Sequence, residues 1–138
     1  TLGPVLRKQV QELGLASVTF LGNREDVREI LCEADVFVLP SEREGMPNVL
    51  LEAMSCGLAC VASGVGAVPE LLGGGVGVMV PPGDAKALAN ALSNLLSNPA
   101  MRAEMGRQAR ARVLERYSLV SVAQQVEKIY YQAIQIGA

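Results

Sequence analysis

The chain has 138 residues, 50% of them apolar, with 12 basic and 14 acidic side chains and a formal charge of −2. That length suits a single domain with its own core. No run approaches the roughly 18 uncharged apolar residues of a membrane span, and with no Lys/Arg block and only 4% aromatics the chain offers nucleic acid neither a phosphate-tracking groove nor a stacking platform.

Histidine is absent, which removes Ser-His and Cys-His nucleophile pairs and the usual His-containing zinc sites. Cys32, Cys56 and Cys60 lie in apolar segments without the spacing of a zinc knuckle or a redox dithiol. Each is expected as a small buried hydrophobe, and this use of cysteine suits a reducing, cytoplasmic setting. The opening TLGPVL carries neither an initiator methionine nor a signal-like pattern. The expectation is a segment of a longer protein, with any attachment to a membrane left to the rest of it.

In chain order, Val5, Leu6, Val10 and Leu13 fit one face of a short helix closed by Gly14. The β-branched and aromatic run SVTFLG, 17–22, reads as a strand stopping at Gly22. REDVREILCEA, 24–34, repeats Val27, Ile30, Leu31 and Ala34 among charges, as a surface helix does. VFVLP, 36–40, has the continuous apolar pattern of a buried parallel strand, which Pro40 ends. A helix then starts near Asn48 and stops at Gly57; ACVAS, 59–63, is another buried strand; VPELL, 68–72, is a turn or two of helix; and VGVMV, 76–80, is a strand ended by two prolines. Strands and helices alternate, so an α/β doubly wound parallel sheet is expected, with crossover helices covering both sides.

Beyond Asp84 the strands stop and additional C-terminal helices follow. Residues 85–97 carry Leu88, Ala89, Leu92, Leu95 and Leu96 on one face, and Asn98-Pro99 opens a helix whose contacts are Met101, Met105, Ala109 and Val113. Ser118 caps a last helix in which Leu119, Val122, Val126, Ile129 and Ala133 repeat at helical intervals. Met101, Met105, Tyr117, Tyr130 and Tyr131 are assigned to packing. Asp26, Asp35 and Asp84 have no metal spacing and suit solvated or capping roles.

The candidate site is SEREGMPNVLLEAMSCG, 41–57. Pro40 ends a strand, Gly45 and Pro47 shape a turn, and a helix begins, so the turn sits outside the carboxyl end of a parallel strand, where doubly wound sheets bind ligands. Backbone N–H groups from Gly45 to Val49 would favour an anion, most naturally a diphosphate. Asn48 and Glu52, four apart, share a face, while Val49, Leu50, Ala53 and Met54 pack inward. The competing reading makes Glu44 and Glu52 favourable first-turn charges, worth about 0.3–1 kcal/mol each. A glycosidase pair is not defined by this spacing. GVGAVP, 64–69, lacks the third glycine of a dinucleotide fingerprint, and no nucleoside-triphosphate phosphate loop is present.

EGMPNVLLE, 44–52, resembles the E-x7-E motif of retaining glycosyltransferases of group 1, or family 4, and GPVLRKQVQELGL, VTFLG, ADVFVLPS, EAMSCGLACVAS, GAVPELL and VPPGD resemble successive segments of the same family's carboxyl-terminal domain. The likeness covers nearly all of the chain. It implies that residues 1–138 are the nucleotide-sugar-binding part of a GT-B enzyme, a Rossmann-like half whose acceptor-binding amino-terminal domain lies outside this chain. Glu44 would contact the donor sugar as the catalytic-site carboxylate, and Glu52 the ribose hydroxyls. Gly45, Met46, Pro47, Asn48 and Val49 would lie along the sugar and diphosphate, with Glu70 near the donor. The donor would be a UDP-, GDP- or ADP-linked sugar, with no metal or other cofactor.

By this resemblance the basic pair usual in the family would fall before residue 1. EGMPN replaces a glycine-rich turn, and GAVPE has alanine where a second glycine is common. An epimerase-type GT-B domain and a non-catalytic doubly wound module are the alternatives. Helices after residue 85 that pack on an absent domain would leave an apolar stripe open.

Overall fold

In the computed structural model, which describes residues 2–136, Val36–Leu39 (β1), Ala59–Ser63 (β2) and Val78–Val80 (β3) form one parallel sheet in the order β1-β2-β3. Val36 lies opposite Ala59, and Val61 opposite Val78. The helices are α1 (Gly3–Glu12), α2 (Val27–Glu33), α3 (Asn48–Ser55), α4 (Val68–Leu72), α5 (Ala85–Ser97), α6 (Pro99–Arg112) and α7 (Leu119–Ile136), with a π-helical turn, Val113–Tyr117, between the last two. Among the described residues no helix is long and apolar enough to cross a membrane.

The middle strand organises the rest. All five residues of β2 are buried, and because strand side chains alternate, Cys60 and Ala62 join one layer while Ala59 and Val61 join the other. Parallel neighbours need crossovers, and α3 and α4 supply them on the first face through Leu50, Ala53, Met54, Val68, Leu71 and Leu72. Leu95 of α5, with half-buried Leu88 and Leu92, covers the second face. Each fully buried leucine contributes about 1.5–3 kcal/mol.

Capping sets where the helices stop and start. Gly57, at φ +80°, ends α3: its amide donates to Met54 O and that of Leu58 to Ala53 O, a Schellman closure that only glycine makes without strain. The Asp84 carboxylate accepts from the Ala87 amide at 2.8 Å, and Ser118 Oγ from the Ser121 amide at 3.1 Å. Asp26 pairs with Arg24 and Asp35 with Arg102.

Helix α6 passes from one layer to the other: Met105 packs with the α5 side, Ala109 and, in the π-helical turn that follows, Val113 with the α3 side. Between them Gly106 meets the Gly57 turn so closely that a Cβ would lie 1.8 Å from Gly57 O. A glycine inside a helix is here a backbone contact, which helical periodicity does not disclose.

Several expectations are corrected. Residues 17–22 form no strand; an extended run becomes one only against a neighbour's backbone, and the sheet begins at β1. Instead Arg7 lies over the Phe20 ring at 4.4 Å. β1 is half-buried rather than buried, because it is a sheet edge. Ala89 and Leu96 face outward, since the core-facing row of α5 runs through Ala87, Leu88, Ala91, Leu92 and Leu95, and Met101, in the first turn of α6, is exposed as well. Along α7, Leu119 (90% exposed), Val122, Val126 and Ile129 are open. Cys32 is exposed and Cys56 half-buried, so only Cys60 is the buried hydrophobe expected of all three.

Gly106→Ala should destabilise the chain by about 2 kcal/mol in urea unfolding, because overpacking against backbone outweighs alanine's helix propensity of roughly 1 kcal/mol. Gly3→Ala, where a Cβ meets nothing within 4 Å, should stay within about 0.5 kcal/mol of the parent. Equal stability of the two variants would contradict the close approach.

Candidate functional site

Two loops leave the carboxyl ends of adjacent strands and interlock. The first, after β1, runs from Pro40 to Pro47; in it the Ser41 hydroxyl donates to Glu44 Oε1 at 2.6 Å, with both residues half-buried. The second, after β2, is Gly64–Ala67. Its Gly64 amide donates to Val80 O at 2.9 Å, tying it to β3, and its Ala67 amide donates to Gly45 O at 3.0 Å, tying it to the first loop. Gly66, at φ +54°, lies against the first loop so tightly that a Cβ would sit 2.1 Å from Glu44 O. Only glycine combines that backbone angle with that approach.

Helix α3 starts from this clasp. Buried Pro47 takes an extended ψ and its carbonyl accepts from Leu50 N at 3.0 Å. Pro47 has no amide to offer. Among the described residues no backbone acceptor takes the amides of Gly45, Met46, Asn48 or Val49. Four donors therefore lie at and just before the positive end of a helix, in the stretch that follows Glu44 in sequence, an arrangement suited to an anion attached to a hydroxyl-bearing group.

The positions named from sequence separate into groups. Glu44 and Gly45 are held in the clasp; Asn48 and Glu52 are exposed, while Val49 is half-buried and Leu50, Ala53 and Met54 are buried. Met46 is 50% exposed. Neither glutamate lies in the first turn of α3, which holds no acid, so neither is the first-turn charge of the competing reading. Glu70, in the first turn of α4, accepts from the Tyr117 hydroxyl at 2.9 Å, which ties its carboxylate to the π-helical turn. Burial first, and then Glu70, raise the Tyr117 pKa above the ordinary phenol value.

Sequence reasoning missed Ser41, Gly66 and Tyr117. For Ser41 the spacing Ser-x-x-Glu was an available signal; Gly66 was weighed only as part of a dinucleotide fingerprint. A cavity of about 150 Å³ lined by Pro40, Ser63, Val80, Pro81, Asp84 and Leu88 opens beside the clasp. It is smaller than the roughly 300–1,000 Å³ of a small-molecule site, so it can be only an annex to the open crevice. Among the described residues no group of three or more Cys, Asp or Glu could hold a metal ion.

Comparison with known proteins places this geometry in context. Residues 2–98 match the family model described as Glycosyl transferases group 1. N-acetyl-alpha-D-glucosaminyl L-malate synthase of Bacillus anthracis is 36% identical over 118 residues, which are 85% of this chain and 31% of that protein. Sucrose-phosphate synthase from Thermosynechococcus elongatus superposes with a TM-score of 0.84 at 34% identity, covering 96% of this chain and 34% of that one. HepE of Anabaena, solved with UDP and with UDP-glucose, superposes at TM-scores of 0.87 and 0.85 with 30% identity, over 94% of this chain and 36% of the other. The parallel sheet with its flanking and C-terminal helices thus matches one Rossmann-like half of a GT-B fold. The chain spans about a third of the length of these relatives.

Gly66→Ala should cost about 2–4 kcal/mol in urea unfolding, from a left-handed backbone and a clash with Glu44 O together; an unchanged midpoint would contradict the clasp. Tyr117 gives a pH test. Its folded pKa lies above its unfolded value near 10, so its contribution is complete below about pH 10 and is lost as pH rises through the folded value, where the unfolded chain has already given up the proton. Stability measured between about pH 8 and about pH 11 should fall more steeply in the parent than in Tyr117→Phe.

Proposed function

Because the chain belongs to the group 1 glycosyl transferases, we propose that it is the donor-binding domain of an enzyme that moves a sugar from a nucleoside diphosphate to an acceptor hydroxyl with retention at the anomeric carbon. The observation that carries this reading is the clasp: it ties down the loop in which Ser41 holds the Glu44 carboxylate, and that loop leads into the amides at the start of α3 that find no backbone acceptor. The relatives solved with UDP and UDP-glucose support a nucleotide-sugar ligand.

In this reading Glu44, oriented by Ser41, accepts hydrogen bonds from the donor sugar and fixes its anomeric carbon toward the acceptor. The amides of Gly45, Met46, Asn48 and Val49 take up charge on the diphosphate as its bond to the sugar breaks, a stabilisation strongest in the transition state. The acceptor attacks from the side on which the diphosphate departs, which preserves configuration. Glu52, exposed on the Asn48 face, accepts from the ribose hydroxyls. Glu70, held by Tyr117, borders the donor. No step requires a metal.

A second domain, supplied by the remainder of the protein, completes the cleft and carries the acceptor. The open row Leu119, Val122, Val126 and Ile129 on α7 is the surface expected to meet that remainder. This chain alone therefore binds donor without transferring sugar.

Calorimetric titration with UDP, GDP and ADP should show one preferred nucleotide. Glu52→Ala should weaken it roughly ten- to a hundredfold, the worth of a charge-assisted hydrogen bond of about 1.5–3 kcal/mol. Undiminished affinity in that variant would remove Glu52 from the site.

A further inference from the structure

Cysteines that sequence spacing keeps apart are brought together by the fold. Cys32, near the end of α2, and Cys56, the residue that caps α3, face each other with their sulfurs 2.9 Å apart. A disulfide needs about 2.05 Å, so the remaining approach is small. Two features give the pair an order of reaction. Cys32 is exposed while Cys56 is half-buried, and burial, followed by the hydrogen bond and charge of Cys32, raises the Cys56 pKa, against a smaller opposing effect of Arg28. The third cysteine is set apart: Cys60 is fully buried in β2, its sulfur is directed to Leu58 O at 3.4 Å, and burial pushes its pKa up to about 12.

We propose that Cys32 and Cys56 form a thiol–disulfide exchange site that takes a low-molecular-weight disulfide and closes to an intrachain disulfide. In the first step the Cys32 thiol loses its proton to solvent, and its sulfur attacks one sulfur of the small disulfide. A mixed disulfide forms on Cys32 and one small thiolate leaves. In the second step Cys56 loses its proton and attacks Cys32 Sγ; the Cys32–Cys56 bond forms and the second small thiolate leaves. Two protein thiols are oxidised, one small disulfide is reduced to two thiols, and the reverse exchange reopens the bond. The bond closes residues 32–56 into a loop that contains β1, the Glu44 loop and α3. The proposal is independent of the donor-binding reading, since the pair lies at the opposite end of α3 from Asn48.

The reduced chain, incubated with oxidised glutathione near pH 8 and quenched with acid, is analysed by intact mass and non-reducing peptide mapping. The expected product has lost two hydrogens, joins the Cys32 peptide to the Cys56 peptide, leaves Cys60 free and reverts with a dithiol reductant. Cys56→Ser should stop at a glutathione adduct on Cys32, and Cys32→Ser should give no adduct in the same time. The proposal is overturned if the parent keeps as much glutathione as Cys56→Ser, if the link involves Cys60, or if all three thiols stay free.

Discussion

A strand covered by helices on both faces admits only side chains that let both layers approach, and β2 meets that constraint with Ala59, Cys60, Val61, Ala62 and Ser63, all buried. Alternation sends Cys60 and Ala62 to one layer and Ala59 and Val61 to the other, so a single strand nucleates two apolar clusters. The crossovers α3 and α4 share one face and α5 takes the other. Gly106 lets α6 pass under the Gly57 turn and tie both layers together. Once β2 is fixed, the loops that leave β1 and β2 at their carboxyl ends have little freedom.

That restriction turns a packing arrangement into a site. Polar backbone at a strand end must find partners or face water, and the Ala67 amide finds Gly45 O while the Gly64 amide finds Val80 O. Among the described residues the amides of Gly45, Met46, Asn48 and Val49 find no backbone acceptor. In the proposed site the attraction for anions comes from fixed peptide dipoles, and Ser41 holds the Glu44 carboxylate in the adjoining loop. Preorganised donors of this kind need no rearrangement when charge develops on a bound group, which suits the proposed departure of a diphosphate.

What was legible in the sequence is what local patterning controls. Pro40, Gly57 and the prolines after Val80 mark strand and helix ends, and the apolar runs at 36–40, 59–63 and 76–80 contain the three strands found, Val36–Leu39, Ala59–Ser63 and Val78–Val80. Asp84 and Ser118 cap as their chemistry dictates. Reading failed where an outcome depends on a neighbour. Residues 17–22 have strand-forming side chains but, among the described residues, no adjacent strand, and α7 has a helical apolar row that nothing among those residues covers. Cys32 and Cys56 are 24 positions apart and meet only because α2 packs on α3. At the site, Glu44 and Glu52 stood out as acids near a helix start, whereas Gly66 could not, because its necessity lies in the carbonyl of Glu44 across the clasp.

The central claim is that a nucleoside diphosphate settles on the clasp at the carboxyl ends of β1 and β2. Amide chemical-shift mapping of the chain during addition of the preferred nucleotide tests it most directly. The account predicts that the largest shifts fall on Gly45, Met46, Asn48 and Val49, with a second set at Gly64–Ala67. Shifts gathered instead at the opposite end of the sheet, around Gly57, Ala59 and Arg102, would contradict it.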